Sequence, residues 1–452
     1  MTGNKIKRIV QLALPLILQQ LCLQLQIWID RAMLGHLNAA FFSALGNATV
    51  PYYMITSAIT AVCGGTAIVV AQCVGARDMD RARNVAQASF LGSSIFSVLA
   101  FLLFFFWADE IFVLMGVRSP ILEYCTSYAR ILSVSLLILG LSSTATATVQ
   151  GFGLTRIIMV SGIAGNLLNI ALDWVLIFGK LGFPAMGLEG AALATVLANY
   201  LSAGLLLLFV LRSRKMPVRI RWPRSLSGCW RCYRQVLVLG IPSGLEYGLW
   251  NVGNMILVSY LNRLDPMAAG IYTLVFSVET VPMLIYMGFA NAGLTLVGQE
   301  TGARSPRQAR RTGLVCLAFS LAVCLAVAVV FCLFPRPLLS LFTDDASILD
   351  TSVPYLVFVS WMLFPKAVNC VIGLCIRGIG DTRWMMLTQI FGTAFMIAGG
   401  YWFILTAGFG LAGVFITLLV DEAVRSVANI LRFLVGTAVR PEQDCLTFYE
   451  RV

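Results

Sequence analysis

Long apolar runs separated by short polar connections recur twelve times along the chain. They fall near 9–34, 45–72, 84–108, 127–155, 157–179 and 187–211, then 235–262, 266–299, 312–335, 351–376, 384–409 and 410–436. A helix needs about 20 mainly apolar residues to cross the hydrocarbon core of a bilayer. The pattern therefore predicts an all-α polytopic membrane protein with twelve transmembrane helices. Composition agrees: 59% of residues are hydrophobic and 12% are charged, against roughly 25% charged in soluble domains. Pro15, Pro51, Pro242, Pro282, Pro354 and Pro365 lie inside these runs, where neighbouring helices can satisfy the carbonyls that a proline frees.

The runs form two sets of six that repeat at one constant offset, the step that takes Pro15 to Pro242. By the same step Gln72 recurs as Gln299, and Gly75-Ala76-Arg77 as Gly302-Ala303-Arg304. Gly151, Gly153, Thr155 and Arg156 recur as Gly378, Gly380, Thr382 and Arg383. Six spans is an even number, so both halves enter the membrane in the same orientation. Repeats of this kind are parallel, related by a pseudo-two-fold axis along the membrane normal. The predicted organisation is an N-terminal six-helix lobe (1–211), a basic linker (212–234), a C-terminal six-helix lobe (235–436) and a tail (437–452).

The net charge of +11 follows this topology. Lys5, Lys7 and Arg8 precede the first span, Arg77, Arg81 and Arg83 follow the second, and Arg304, Arg307, Arg310 and Arg311 follow the eighth; the densest group lies in 212–234. All fall on one side of the membrane. By the positive-inside rule that side is cytoplasmic and holds both termini. Bases arranged in this way point to membrane lipid as a partner and away from nucleic acid. The first apolar run lengthens into a full span without an evident cleavage site, so it is expected to be retained. Cys229-Trp230-Arg231-Cys232 has redox or half-zinc-site spacing, but no second pair or His accompanies it. No His-Glu-x-x-His, Gly-x-Ser-x-Gly or phosphate-cradling loop is present, which speaks against an enzyme.

The acids inside the spans do not repeat. Asp30 stands opposite Leu257, Asn169 opposite Met396, and Asp173 opposite Gly400. A charge at mid-membrane costs about 2.5–3.5 kcal/mol on insertion scales, so it marks a partner or a function. Asp173 is the one ionisable residue within 157–179. The four-residue spacing from Asn169 puts both on one helix face, where a carboxylate and an amide oxygen offer hard donors suited to Na+. Without a metal the buried acid is a candidate proton carrier; a helix-packing hydrogen bond is the plainer alternative. Asp30 precedes Arg31 at the end of the first run, so a solvated interfacial pair competes there with a buried functional acid.

Pro15, Asp30, the Gln-x-x-Gly-Ala-Arg turns at 72–77 and 299–304, and Arg377-Gly-Ile-Gly-Asp-Thr-Arg383 together resemble the multidrug and toxic compound extrusion (MATE) transporters. Asn169-Ile-Ala-Leu-Asp173 and Gly187-Leu-Glu-Gly-Ala-Ala-Leu-Ala-Thr195 extend the likeness over nearly the whole chain. The resemblance implies a two-lobed exporter in the plasma membrane, the inner membrane of a bacterium, without a cofactor. It would exchange organic cations or other amphipathic compounds for inward Na+ or H+. It also implies an ion-coupling site of Asp30, Asn169, Asp173 and Thr195, with Pro15 as the bend of the first helix. The second lobe departs from subgroups with acids on helices seven and ten. Glu246 lies one turn before the expected place, which Trp250 fills, and helix ten offers Lys366. Glu246, Glu279 and Lys366, with Asp421, Glu422 and Arg425, are expected to form a charge-balanced network, and Tyr52, Trp250, Tyr286 and Met287 are candidates to line a cavity for flat cations. Competing readings are a flippase for lipid-linked saccharides and a major-facilitator transporter.

Overall fold

The computed structural model describes residues 2–37, 39–219, 226–264 and 266–439, which form helices and short connections without a strand. The tail beyond 439 and the linker residues 220–225 lie outside the described residues. In the first half the order is α1 (Thr2–Leu37), α2 (Ala39–Ala76), α3 (Met79–Phe106), the short α4 (Ala108–Leu114), α5 (Ile121–Ser133), α6 (Leu136–Gly151), α7 (Thr155–Phe178) and α8 (Gly187–Arg212). The second half runs α9 (Leu226–Leu264), α10 (Pro266–Gly302), α11 (Pro306–Leu333), the short α12 (Pro335–Leu339), α13 (Ala346–Ile379), α14 (Thr382–Gly400) with a π-helical extension Tyr401–Thr406, and α15 (Gly410–Val439).

Among the described residues nine helices are long and apolar enough to span, and α5 with α6, bent by 49°, make a tenth. α9 and α15 have the length, at 39 and 30 residues, but carry charges, Glu246 in the first and Asp421, Glu422 and Arg425 in the second. Twelve spans follow, as predicted. The span read as one run at 127–155 is broken at Val134–Ser135, whereas its counterpart α13 continues through Pro354 and Pro365. Exposed faces are apolar, as lipid contact requires: on α3 Leu99, Leu103 and Phe106 are exposed while Phe104 is buried.

The duplication is visible in the helix ends. α3 begins at 79 and ends at 106, α11 begins at 306 and ends at 333, so both ends are displaced by the step that separates Pro15 from Pro242. The repeated motifs are helix stops. Arg77 and Arg304 both adopt left-handed backbone, with φ of 60° and 52°. In each case the next amide reaches back to a carbonyl five residues earlier, Asp78 to Cys73 at 2.9 Å and Ser305 to Glu300 at 2.9 Å. That is the Schellman closure of an α-helix. Gly153 and Gly380 end α6 and α13 in the same way, with Leu154 donating to Val149 and Asp381 to Ile376.

Packing divides the chain into two compact units, one of Leu18–Gly244, the other of the residues up to Ile17 and from Leu245 onward. The division falls within α1 and α9, two residues after Pro15 and Pro242, and not in the basic segment 212–234. Side chains explain this. In the first unit the start of α9 lies on α2 and α3: Arg81 Nη2 donates to Gln235 Oε1 at 3.2 Å. Gly65 and Gly240 meet backbone there, since a Cβ on Gly65 would stand 2.4 Å from the Val236 carbonyl oxygen and one on Gly240 2.4 Å from that of Val62. In the second unit Lys5 Nζ pairs with Glu300 at 2.9 Å and Arg8 Nη2 donates to Gln299 at 2.6 Å.

Such a backbone approach admits no side chain. Gly65→Ala is expected to destabilise the protein by about 1–3 kcal/mol, read as a lower thermal midpoint in detergent. Gly64→Ala, which meets open space, should leave the midpoint unchanged, and equal midpoints for both variants would refute the close-packing account.

Candidate functional site

The first unit holds a buried polar cluster built from α1, α7 and α8. Gln26 and Asp30 lie one turn apart on α1, Asn166, Asn169 and Asp173 follow the 3–4 spacing on α7, and Thr195 faces them from α8. Small residues bring the helices together: a Cβ at Gly165 would stand 3.0 Å from the Ala198 carbonyl oxygen of α8, and one at Gly162 2.7 Å from Gln19 Cγ of α1. Asn169 and Asp173 are completely buried and Gln26 is 8% exposed. Asp30 is partly buried, which places it against α7 and not in a solvated pair with Arg31.

The two carboxyl groups approach each other around Asn169. The Asn169 amide spans them. One end of it lies 2.5 Å from Gln26 Nε2, 3.2 Å from Asp30 Oδ1 and 3.1 Å from Asp173 Oδ2. As an oxygen that end accepts from Gln26, while the amide nitrogen donates to Thr195 Oγ1 at 3.4 Å. As a nitrogen it donates to both carboxyl groups. Gln26 Nε2 also donates to Asp30 Oδ2 at 3.2 Å. Thr195 hydrogen-bonds back to the Ala191 carbonyl at 2.9 Å, the usual habit of Thr in a membrane helix, and still presents its oxygen to Asn169.

Asp173 Oδ1 is buried with no hydrogen-bond partner among the described residues. Two like charges about 4 Å apart repel by about 4 kcal/mol even at an effective dielectric of about 20. Two carboxylates gathered at one amide therefore require a proton, an amide N–H or a cation between them. The donor set, two carboxyl groups, an amide oxygen and a hydroxyl, is all hard oxygen, the chemistry that suits a small alkali cation or a proton. Gln26 and Asn166 were missed in the sequence reading. The signal was available for Gln26: its counterpart in the second repeat is Gly253.

The second unit shows what the same backbone does without this chemistry. A Cβ on Gly253 would lie 3.3 Å from Met396 Sδ, and one on Gly400 only 2.4 Å from Leu257 Cδ2. Gly253, Met396, Gly400 and Leu257 are the counterparts of Gln26, Asn169, Asp173 and Asp30. The duplicated scaffold brings the same positions together in both halves, and only the first half fills them with polar groups. Leu257 and Met396 are fully buried in an apolar core.

The charges of the second unit are paired elsewhere. Glu279 meets Lys366 at 2.5 Å, with the Lys366 ammonium 5.8 Å from the Phe276 ring centroid. Glu246 meets Arg377 at 2.6 Å. Arg425 holds Asp421 with Nε at 3.1 Å from Oδ1 and Nη2 at 2.7 Å from Oδ2, reaches Glu422 at 3.1 Å, and donates from Nη1 to Gln389 at 2.8 Å. Of the aromatic candidates, Trp250 is partly buried near Phe276, and Met287 touches Cys370 at 3.5 Å. Tyr52 and Tyr286 fill packed cores: Tyr52 is 9% and Tyr286 3% exposed, and the Tyr52 hydroxyl hydrogen-bonds to Ser135 Oγ at 2.7 Å. Cys229 and Cys232 are free thiols.

A polytopic bundle of two six-helix repeats, with acids buried in the first that no base pairs among the described residues and base-paired acids in the second, has the form of a membrane transporter. The MatE family model matches residues 15–175 and again 242–402, two segments displaced by the same step as the helix ends. The chain belongs to this family of membrane transporters. The probable multidrug resistance protein NorM of Thermotoga maritima is 25% identical over 435 residues, covering 95% of this chain and 92% of the relative. The uncharacterized transporter YisQ of Bacillus subtilis is 26% identical over 411 residues, 89% of each chain. Among solved structures, an outward-facing multidrug resistance MATE family transporter of the MOP superfamily superposes with a TM-score of 0.89 at 23% identity, over 96% of each chain. So does a MOP superfamily transporter from Pyrococcus furiosus, at 0.89 and 22%, for which a reverse polarity of the binding pocket suggests a different function.

The buried Arg425 network makes a direct stability prediction. Arg425→Met strands two carboxylates, Asp421 at 2% and Glu422 at 9% side-chain exposure, and should cost about 3–5 kcal/mol. Arg130→Gln, which breaks the exposed pair with Asp109, should change stability by less than about 1 kcal/mol. Chemical unfolding of the two variants in the same detergent separates these values.

Proposed function

We propose that the protein is a secondary active multidrug exporter, exchanging organic cations or other amphipathic compounds for inward H+ or Na+ by alternating access. The single observation that carries this reading is the convergence of Asp30 and Asp173 on the buried Asn169 amide, set in a family of transporters and unmatched in the second repeat. Neutralising the pair with H+ or Na+ removes the repulsion and favours one conformation. The charged pair favours the other, in which a cationic substrate is taken up. Coupling of this kind needs ion and substrate to prefer different conformations. The Asn169 amide suits the exchange, presenting N–H to two carboxylates or oxygen to a bound cation.

In this reading the bodies that alternate access follow the six-helix repeats, 1–211 and 235–436, joined by the basic segment 212–234, with the start of each repeat's first helix exchanged to the other compact unit. Pro15 bends α1 beside the point where it passes from one compact unit to the other. Both termini and the base-rich connections face the cytoplasm by the positive-inside rule, in a plasma membrane, for a bacterium the inner one. Glu246, Glu279, Lys366, Trp250 and Met287 are the second repeat's contribution to substrate selection. The names of the multidrug-resistance relatives support the export of drugs.

The test is ethidium efflux from proteoliposomes with Na+ and pH gradients imposed separately. The parent should respond to at least one gradient, and Asp30→Asn and Asp173→Asn should each lower gradient-driven efflux by at least about tenfold while the protein stays folded. Undiminished efflux in both variants would reject the coupling site. A parent that moves no ethidium under either gradient would shift the reading to a flippase for lipid-linked saccharides.

A further inference from the structure

The first turns of α11 carry Arg307, Arg310 and Arg311. Continuing at the same helical spacing come Leu314, Val315 and Ala318, and these six residues together line one shallow groove of about 430 Å³. Steps of three and four residues put them in a single stripe on one helix face. The stripe is cationic at its polar end and apolar toward the membrane. No ion pair to any of the three arginines is formed among the described residues, the first turn of α11 contains no acid, and its N-cap Ser305 makes no side-chain cap. Pro306 at the first position has no N–H, and the Gln308 and Ala309 amides donate to the Ser305 carbonyl at 3.0 Å each, so the positive potential of this end comes from the three guanidinium groups.

The duplicated helix α3 supplies an internal comparison. Its positions corresponding to Arg307, Arg310 and Arg311 are Asp80, Arg83 and Asn84. There Asp80 neutralises Arg83 at 2.7 Å, and the Asp78 carboxylate caps the helix by accepting from the Arg81 amide at 3.0 Å. One copy of the helix start is neutralised and capped by its own acids, whereas the other leaves three guanidinium groups without an acid in the turn, above an apolar strip. Guanidinium groups match the oxygens of a phosphate in charge and geometry.

We infer that the α11 stripe is a binding site for an anionic phospholipid of the cytoplasmic leaflet, its headgroup phosphate held by Arg307, Arg310 and Arg311 and an acyl chain lying along Leu314, Val315 and Ala318. Two features select a lipid over a soluble anion or an acidic peptide: the apolar continuation of the stripe, and its position at the end of a spanning helix on the face that the bases mark as cytoplasmic. The site lies in the second repeat, on a helix that contributes nothing to the Asp30–Asp173 cluster.

Hydrogen exchange of the full chain in nanodiscs tests this. In discs of equal phosphatidylcholine and phosphatidylglycerol, amides 307–311 should exchange about fivefold more slowly than in phosphatidylcholine alone, while the first turn of α3 shows no such difference. The triple variant Arg307→Gln/Arg310→Gln/Arg311→Gln should abolish the difference, and Leu314→Asn should reduce it. The proposal is overturned if the two discs give equal exchange, if the triple variant keeps the protection, or if α3 is protected equally. It is overturned as well if inorganic phosphate added to phosphatidylcholine discs reproduces the protection, since the ligand is then a free anion.

Discussion

Two carboxyl groups held against each other away from water repel unless something positive stands between them, and the first repeat is built around that constraint. Asp30 and Asp173 come from helices α1 and α7, far apart in the chain, and Asn169 and Gln26 fill the space between them with amide groups. The neighbourhood is packed and largely dry, so the repulsion cannot be relaxed by solvent. In the proposed exchange, what occupies the gap, a proton, an N–H or a cation, is coupled to how closely α1 and α7 can approach.

The second repeat shows that this arrangement is a choice of side chains and not of backbone. The positions that hold Gln26, Asp30, Asn169 and Asp173 are again in contact in the second repeat, but as Gly253, Leu257, Met396 and Gly400. An apolar plug at these positions is ordinary core and has no reason to respond to ions. The second repeat carries its own charges at other positions, where Lys366, Arg377 and Arg425 meet Glu279, Glu246, Asp421 and Glu422 directly. Each of those acids already has a base within 3.1 Å. Asp30 and Asp173 have amides as their neighbours, and in the proposed exchange their charge is balanced by the coupling ion.

The compact units divide inside α1 and α9, shortly after Pro15 and Pro242. Proline removes one backbone hydrogen bond and clashes with the preceding turn, so a helix yields most readily at this point. Asp30 lies about four turns further along α1, on the stretch that belongs to the unit containing α7. The fold thus places the acid and the weak point on one rod.

The amino-acid sequence alone determined the class of fold and the repeat. Hydrophobic runs of membrane length, bases on alternate connections and a constant offset between the halves are each one-dimensional signals, because bilayer thickness and backbone closure act locally along a helix. It also singled out Asp30, Asn169 and Asp173, since an acid unmatched in a duplicated scaffold stands out without coordinates. The fates of Tyr52 and Tyr286, both buried in cores, could not be read, because an aromatic residue on an apolar helix has the same pattern whether it faces a ligand, lipid or another helix. Gln26 and Asn166 were overlooked for a related reason: an uncharged amide gives little contrast along the chain. Only the tertiary structure decided that Asp30 and Asp173 converge on Asn169, that Arg377 takes Glu246 and Lys366 takes Glu279, and that α1 and α9 are divided between units. Those outcomes depend on which helix faces meet at hydrogen-bonding distance, and that is fixed by packing among residues remote from one another in the chain.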